Sequence, residues 1–198
     1  MKIENRKEYK LLFDESELSS FLLKNSKNLQ VLFPNRIIES LYFDTVNFDL
    51  YKKSKLNDVG KFKIRVRKYS NSTNFYKEIK LNNGLTKSKE KVKLEINSFD
   101  DLSKIFYRGN IYFPSSYIKY TRSYFKFHKT RLTIDQNIAF FTHNYRTKIH
   151  RSVLLSEKVI EFKNLGELSD VEKFIEYNPV AFSKYNSSIE KLYNLKYE

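Results

Sequence analysis

The stretch KFKIRVRKY, residues 61–69, leaves few options for its backbone and fewer for its surroundings. Read as a β-strand, it puts Lys61, Lys63, Arg65 and Arg67 on one face and Phe62, Ile64 and Val66 on the other, because side chains alternate across a strand. TKSKEKVKL, residues 86–94, likewise aligns Lys87, Lys89, Lys91 and Lys93. Two such strands in one sheet crowd like charges together, which costs energy unless an anion compensates or water screens them. The opposite face of the first strand, and of the C-terminal half of the second, is apolar and must enter a core.

The charge is concentrated in this region. Between Lys52 and Lys93, fourteen Lys and Arg residues stand against three acidic ones, Asp58, Glu78 and Glu90, giving +11 of the chain's +14. Such a segment fits an anionic partner: nucleic acid, an anionic membrane surface, or a phosphate-rich small molecule or polymer. A solvated basic surface is the ordinary alternative. A hydrophobic content of 40%, with 15 Tyr and 17 Phe, argues against a disordered polycation. With no linker-like stretch in 198 residues, one domain is expected over residues 1–198. The absence of Cys excludes disulfides, thiolate catalysis and Cys-based zinc sites, and His128, His143 and His150 lack metal-ligand spacing. No signal-peptide core and no run of about eighteen apolar residues is present, so a cytoplasmic protein without a transmembrane segment is expected.

Alternation and β-branched or aromatic enrichment predict eight strands: Arg6–Phe13, Arg36–Phe43, Val59–Tyr69, Asn74–Leu81, Lys87–Ile96, Tyr117–Phe127, Thr130–Asn137 and Lys158–Asn164. Eight strands suggest a closed barrel, and Asn83-Gly84 marks a hairpin turn. Capping-box patterns at Asp14, Ser98 and Ser169 predict short amphipathic helices, the second capped by Gly109. A fourth helix is expected over Ser188–Leu195.

Three strands carry glutamate two residues before lysine on one face: Glu8/Lys10, Glu78/Lys80 and Glu161/Lys163. Such pairs often only balance charge. Periodicity admits two barrels. One has an apolar interior and charges outside; the other has a polar, cation-lined bore with its apolar exterior under the helices.

The order of motifs resembles the VTC domain, the polyphosphate polymerase domain of the vacuolar transporter chaperone family, a relative of the CYTH proteins among the triphosphate tunnel metalloenzymes. The resemblance runs through Arg6-x-Glu8-x-Lys10, SLYFDT (40–45) with Tyr51, KIRVRKY (63–69), EIK (78–80), the lysine-rich strand, Tyr120-x-Arg122, RLTID (131–135), IEFK (160–163) and Ser183-Lys184-Tyr185. Lys10 is followed by Leu11 where the family usually has tyrosine, and Lys91 stands near a usual arginine.

The resemblance implies an α+β fold: an eight-stranded antiparallel β-barrel, the triphosphate tunnel, with a polar basic interior and amphipathic helices packed outside. It implies an ATP:polyphosphate phosphotransferase that uses Mn²⁺ or Mg²⁺. ATP and inorganic polyphosphate are then the partners, and a triphosphate hydrolase or a non-catalytic polyphosphate or inositol pyrophosphate module the alternatives. Lys10, Arg65, Arg67, Lys80, Lys89, Lys91, Arg122 and Lys163 become the catalytic candidates. Arg6, Tyr120, Arg131, Ser183 and Lys184 become substrate-binding candidates, and Glu161, Glu8 and Glu78 metal candidates. Asp135 is read as fixing a strand end or an arginine. Nucleic-acid binding is disfavoured, because in KFKIRVRKY the apolar side chains lie mostly opposite the basic ones, where they could not stack on bases.

Overall fold

The computed structural model describes residues 2–3, 8–56, 60–82, 87–143, 151–163 and 178–195. Among the described residues the strands are β1 (Lys2–Ile3), β2 (Glu8–Phe13), β3 (Leu29–Asp44), β4 (Lys61–Tyr69), β5 (Phe75–Asn82), β6 (Lys87–Leu94), β7 (Ile105–Tyr107), β8 (Asn110–Phe127), β9 (Thr130–Thr142), β10 (Ser152–Leu154) and β11 (Lys158–Lys163). The main sheet runs β1-β6-β5-β4-β3-β8-β9-β11-β2, with β10 on β9 and β7 on β8, all antiparallel. The eight expected strands are present as β2, β3, β4, β5, β6, β8, β9 and β11.

The expected closed barrel is corrected. Among the described residues the ladder ends at β1 and β2, which are not hydrogen-bonded to each other. Side chains join the two halves instead: Lys80 of β5 reaches Glu8 of β2 at 3.3 Å. The tunnel is an open sheet curled on itself.

Alternation places the core on both faces. Outside, Leu11, Phe13, Leu132, Ile134, Ile160 and Phe162 pack under Leu18 and Phe21 of helix α1 (Glu15–Lys24). Asp14 and Glu17 form the expected capping box that starts α1. Leu41, Phe43, Ile64, Val66, Ile79 and Leu81 form a second outer layer, with Leu50 of helix α2 (Asp49–Lys55), Ile105 and Tyr112. The interior is not polar throughout. Ile38, Tyr42, Ile118, Tyr120 and Phe140, on the cation-bearing face, pack against Tyr185, Ile189 and Leu192 of helix α3 (Lys184–Tyr193). The expectation that every helix lies outside therefore fails for α3, which starts four residues earlier than predicted.

The second expected helix is also corrected. Ser98 and Asp101 make their capping box, but only a 3₁₀ turn, Phe99–Asp101, follows. β7 then pairs with β8 through Arg108 and Gly109, at φ 49° and 75°, the two positive φ values that a tight hairpin turn requires. Gly109 is a turn residue, and the β-forming pair Ile105-Phe106 is in a strand. The Asn83-Gly84 turn and the helix predicted after Ser169 lie outside the described residues. No described helix is long and apolar enough to cross a membrane.

Asp44 ties α2, α3 and β3 together. Fully buried, it accepts from the amides of Thr45 (2.7 Å), Leu50 (2.8 Å) and Tyr51 (3.0 Å) and from the Tyr185 hydroxyl. Asp44→Ala strands these buried donors and is expected to destabilise the protein by about 3 kcal/mol in urea unfolding, against about 1 kcal/mol for Tyr185→Phe, which removes one of them.

Candidate functional site

The register of the antiparallel ladder brings the cations together. Arg65 stands opposite Glu78 and Tyr42, Arg67 opposite Ser40 and Tyr76, and Glu78 opposite Lys91. With side chains alternating, β4 directs Lys63, Arg65, Arg67 and Tyr69 to the same face as Glu78 and Lys80 of β5. That face bounds two cavities, of about 590 and 380 Å³, which share Glu8 and Lys80.

Glu78, buried behind the wall of the larger cavity, is the hub of the cations that line it. Arg65 donates to it from Nε at 2.8 Å and Nη2 at 2.6 Å, Lys89 from Nζ at 2.5 Å, and Arg67 Nη1 lies 3.9 Å away. Arg65 also donates to the Tyr42 hydroxyl at 3.0 Å; Arg67 donates to Ser40 Oγ at 3.0 Å and the Tyr120 hydroxyl at 3.2 Å. Burial pushes the Glu78 carboxyl up, but Arg65, Arg67 and Lys89 outweigh it and hold the group well below the carboxylate range. Burial likewise opposes ionisation of the Tyr42 phenol, yet Arg65 and Arg67 bring it down to about 7.

A second set of charges closes the opposite wall. Lys163 lies 3.1 Å from Glu161 and 3.6 Å from Glu8, so one ammonium joins two carboxylates. Arg122 donates through Nε and Nη2 to Asp135 and stands 3.8 Å from Glu161; Lys184 reaches Asp135 at 2.5 Å. Burial raises the Glu161 carboxyl, and Lys163 and Arg122 more than reverse it. Asp135 is lowered in the same way by Arg122 and Lys184.

The smaller cavity is lined by lysines and the segment before α3. Lys10 Nζ donates to the Phe182 carbonyl at 2.8 Å, and Lys63 Nζ to Ser183 Oγ at 2.6 Å. Burial lowers both, Lys63 to about 8.

Most sequence-predicted residues converge. Glu8, Arg65, Arg67, Lys80, Lys89, Lys91, Arg122, Arg131 and Lys163 line the larger cavity, and Lys10 and Ser183 the smaller. Lys91 lies over the Tyr76 ring at 3.7 Å, whereas Lys89 pairs with Glu78, which separates two lysines the sequence left equivalent. Tyr120 is buried and orients Arg67. Asp135 fixes an arginine, as expected. Arg6 lies outside the described residues. Sequence reasoning missed Lys63, although its face was legible in KFKIRVRKY, and Tyr42, whose approach to Arg65 depends on strand register.

Among the described residues, no group of three or more His, Cys, Asp or Glu side chains converges. Glu78 is saturated by three cations. Glu8 and Glu161 share Lys163, and of the two only Glu8 is among the residues lining the two cavities; a Mg²⁺-type ion takes one or two protein carboxylates and completes its shell with phosphate oxygens and water.

Residues 5–193 match the family model of the VTC domain. No curated protein matches the sequence. Among solved structures, the PH1819 protein of Pyrococcus horikoshii matches with a TM-score of 0.58 and 14% identity, over 94% of this chain and 99% of that one. HpAC1 from Hippeastrum, described as an adenylyl cyclase candidate with a dominant triphosphatase activity, gives 0.54 and 15%, over 96% of each chain. An adenylate cyclase candidate from Bacillus halodurans gives 0.55 and 14%, over 98% and 100%. At these identities the likeness is one of fold.

Glu78→Gln removes the counter-charge shared by Arg65, Arg67 and Lys89 and is expected to cost about 3 kcal/mol in ligand-free unfolding, because buried charges are left uncompensated. Tripolyphosphate should restore more stability to this variant than to the wild type, read as a larger shift in Tm. Glu78, Glu161 and Asp135 all have depressed folded pKa values. Their stabilisation is therefore complete above the ordinary carboxylate values of 4.5 and 3.8 and is lost as pH falls through the folded values. A shallower acid limb of stability is expected for Glu78→Gln.

Proposed function

From the premise that the chain belongs to the VTC domain family, we propose that it is a polyphosphate polymerase, transferring the γ-phosphoryl group of ATP to a growing inorganic polyphosphate chain and releasing ADP. The observation that carries this reading is the succession of two cation-lined cavities meeting at Glu8 and Lys80. One cavity suffices for a triphosphate. A linear polyanion needs cations to continue beyond it, and Lys10, Lys61 and Lys63 provide them.

The chemistry asks little of the protein beyond position and charge. Phosphoryl transfer spreads negative charge over the equatorial oxygens, and fixed cations in a dry bore stabilise it without reorganising. Arg65, Arg67 and Arg122 provide guanidinium forks already oriented by Glu78, Ser40, Tyr120 and Asp135. Lys80, Lys89, Lys91, Arg131 and Lys163 add charge around the same cavity. Lys184 stands beside Asp135, and Ser183 beside Lys63. Glu161 and Glu8 would hold Mn²⁺ or Mg²⁺, which would supply positive charge against that of the phosphates. Glu78 is assigned to charge balance instead.

A metal-dependent triphosphate hydrolase is the second reading, favoured by the fold shared with the Hippeastrum protein described as a triphosphatase. ATP with Mn²⁺ separates the readings. Polymerisation gives ADP and a polymer that stains as polyphosphate; hydrolysis gives equal ADP and orthophosphate with no polymer. Binding without turnover would leave a non-catalytic module and overturn both.

The two members of the Glu-x-Lys pair on β11 are expected to part. Glu161→Gln should collapse turnover while metal-free tripolyphosphate binding stays equal or tightens. Lys163→Ala should weaken that binding about tenfold, because an ammonium attracts phosphate with or without a metal. Steady-state turnover and calorimetric titration check the contrast, and unchanged turnover in Glu161→Gln would move the metal assignment to Glu8.

A further inference from the structure

The larger cavity is not uniform along its length. Its deep end carries the arginines and lysines described above; its outer end is aromatic. On β3 and β8, Arg36 stands opposite Arg122 and Phe33 opposite Tyr124, two residues further out, about 7 Å along a strand. The Phe33 and Tyr124 rings meet edge to face with centroids 5.8 Å apart, and the Arg36 guanidinium lies 5.4 and 5.3 Å from them. Phe33 keeps 46% of its surface exposed. The β4–β5 turn adjoins the same end, since the Ser70 amide donates to the Ile37 carbonyl at 2.9 Å, and it brings Asn71 and Ser72 to the cavity wall.

We propose that the Phe33–Tyr124 rim is a stacking site for the nucleobase of a nucleoside triphosphate whose phosphates enter the arginine-lined bore. Edge-to-face rings leave π-faces to which a planar base can add, and base–aromatic stacking is among the stronger contacts available to an otherwise solvated base. Arg36, between rim and bore, is placed beside the first phosphate, and Asn71 and Ser72 supply amide and hydroxyl groups for the base edge. Tyr120, one of the substrate-binding candidates, is 2% exposed and engaged with Arg67, so it cannot stack on a base without unpacking the interior. The rim deepens the proposed reading: it makes the tunnel select a nucleotide over a bare triphosphate.

The test compares two ligands that share the phosphate end. Titration of wild type, Phe33→Ala, Tyr124→Ala and the double variant with the β,γ-imido analogue of ATP and with tripolyphosphate should show a roughly tenfold loss of nucleotide affinity for each single variant and a larger one for the pair. Tripolyphosphate affinity should stay within about twofold. Equal losses for both ligands, or none for the nucleotide, overturn the rim. Phe33→Leu and Tyr124→Leu keep the apolar bulk and remove the π-face, so they give the same result if the alanine variants unfold. Wild type that binds tripolyphosphate while the variants bind the analogue normally defeats only this inference. Wild type that binds neither ligand defeats the tunnel reading along with it.

Discussion

The structure depends on how cations are held next to one another out of water. Four basic side chains on one face of β4 and three glutamates on neighbouring strands meet in a bore where an unpaired charge would be costly. Each carboxylate is shared. Glu78 serves Arg65, Arg67 and Lys89, Glu8 serves Lys80 and Lys163, and Glu161 serves Lys163 and Arg122. Sharing keeps the interior net positive while giving most cations a partner. An anion entering this interior meets donors already aimed, which is the condition for strong electrostatic stabilisation.

The same compensation closes the sheet. No backbone ladder joins the β2 edge to the β6 side among the described residues, so the curl is held by the Lys80–Glu8 pair and by the segment before α3. Val180 donates its amide to the Lys10 carbonyl, and Lys10 and Lys63 reach back to Phe182 and Ser183. Charge pairing and curvature are thus one problem. Mutations that unbalance the bore are expected to act on fold and ligand together.

How much of this was legible depended on sequence distance. Alternation in KFKIRVRKY, EIK and IEFK gave the strands and their charged faces, because period two is written in adjacent residues. The capping box at Asp14 marked α1 for the same reason. At Ser98 the same signal misled: the box formed, but Ile105-Phe106 and the positive-φ pair Arg108-Gly109 favoured a hairpin over helix. α2 escaped notice because it is seven residues long and begins at a left-handed Phe48, its amides satisfied by Asp44 from the preceding strand. Site members on a legible strand face were found. Those defined by cross-strand register, Tyr42 with Arg65 and Phe33 with Tyr124, were not, since register joins residues far apart in sequence, and at Phe33 it also depends on irregularities in the β3–β8 pairing that no local pattern announces.

The two cavities differ in how they keep their charge. Arg65 and Arg122 have their ionised forms further stabilised despite burial, so the larger cavity holds its arginine charge at any pH the fold survives. In the smaller cavity burial lowers Lys10 and Lys63, the latter to about 8 from 10.5, and neighbouring lysines lower them further. The unfolded chain therefore binds more protons than the folded one between about 8 and 10.5, and this lysine's contribution makes stability rise with pH across that window. An anion relieves the same penalty by another route, because a phosphate beside Lys63 would stabilise the ammonium that burial disfavours. The lysine end is thus the part of the bore that gains most from being filled, and the arginine end the part that is ready before anything arrives.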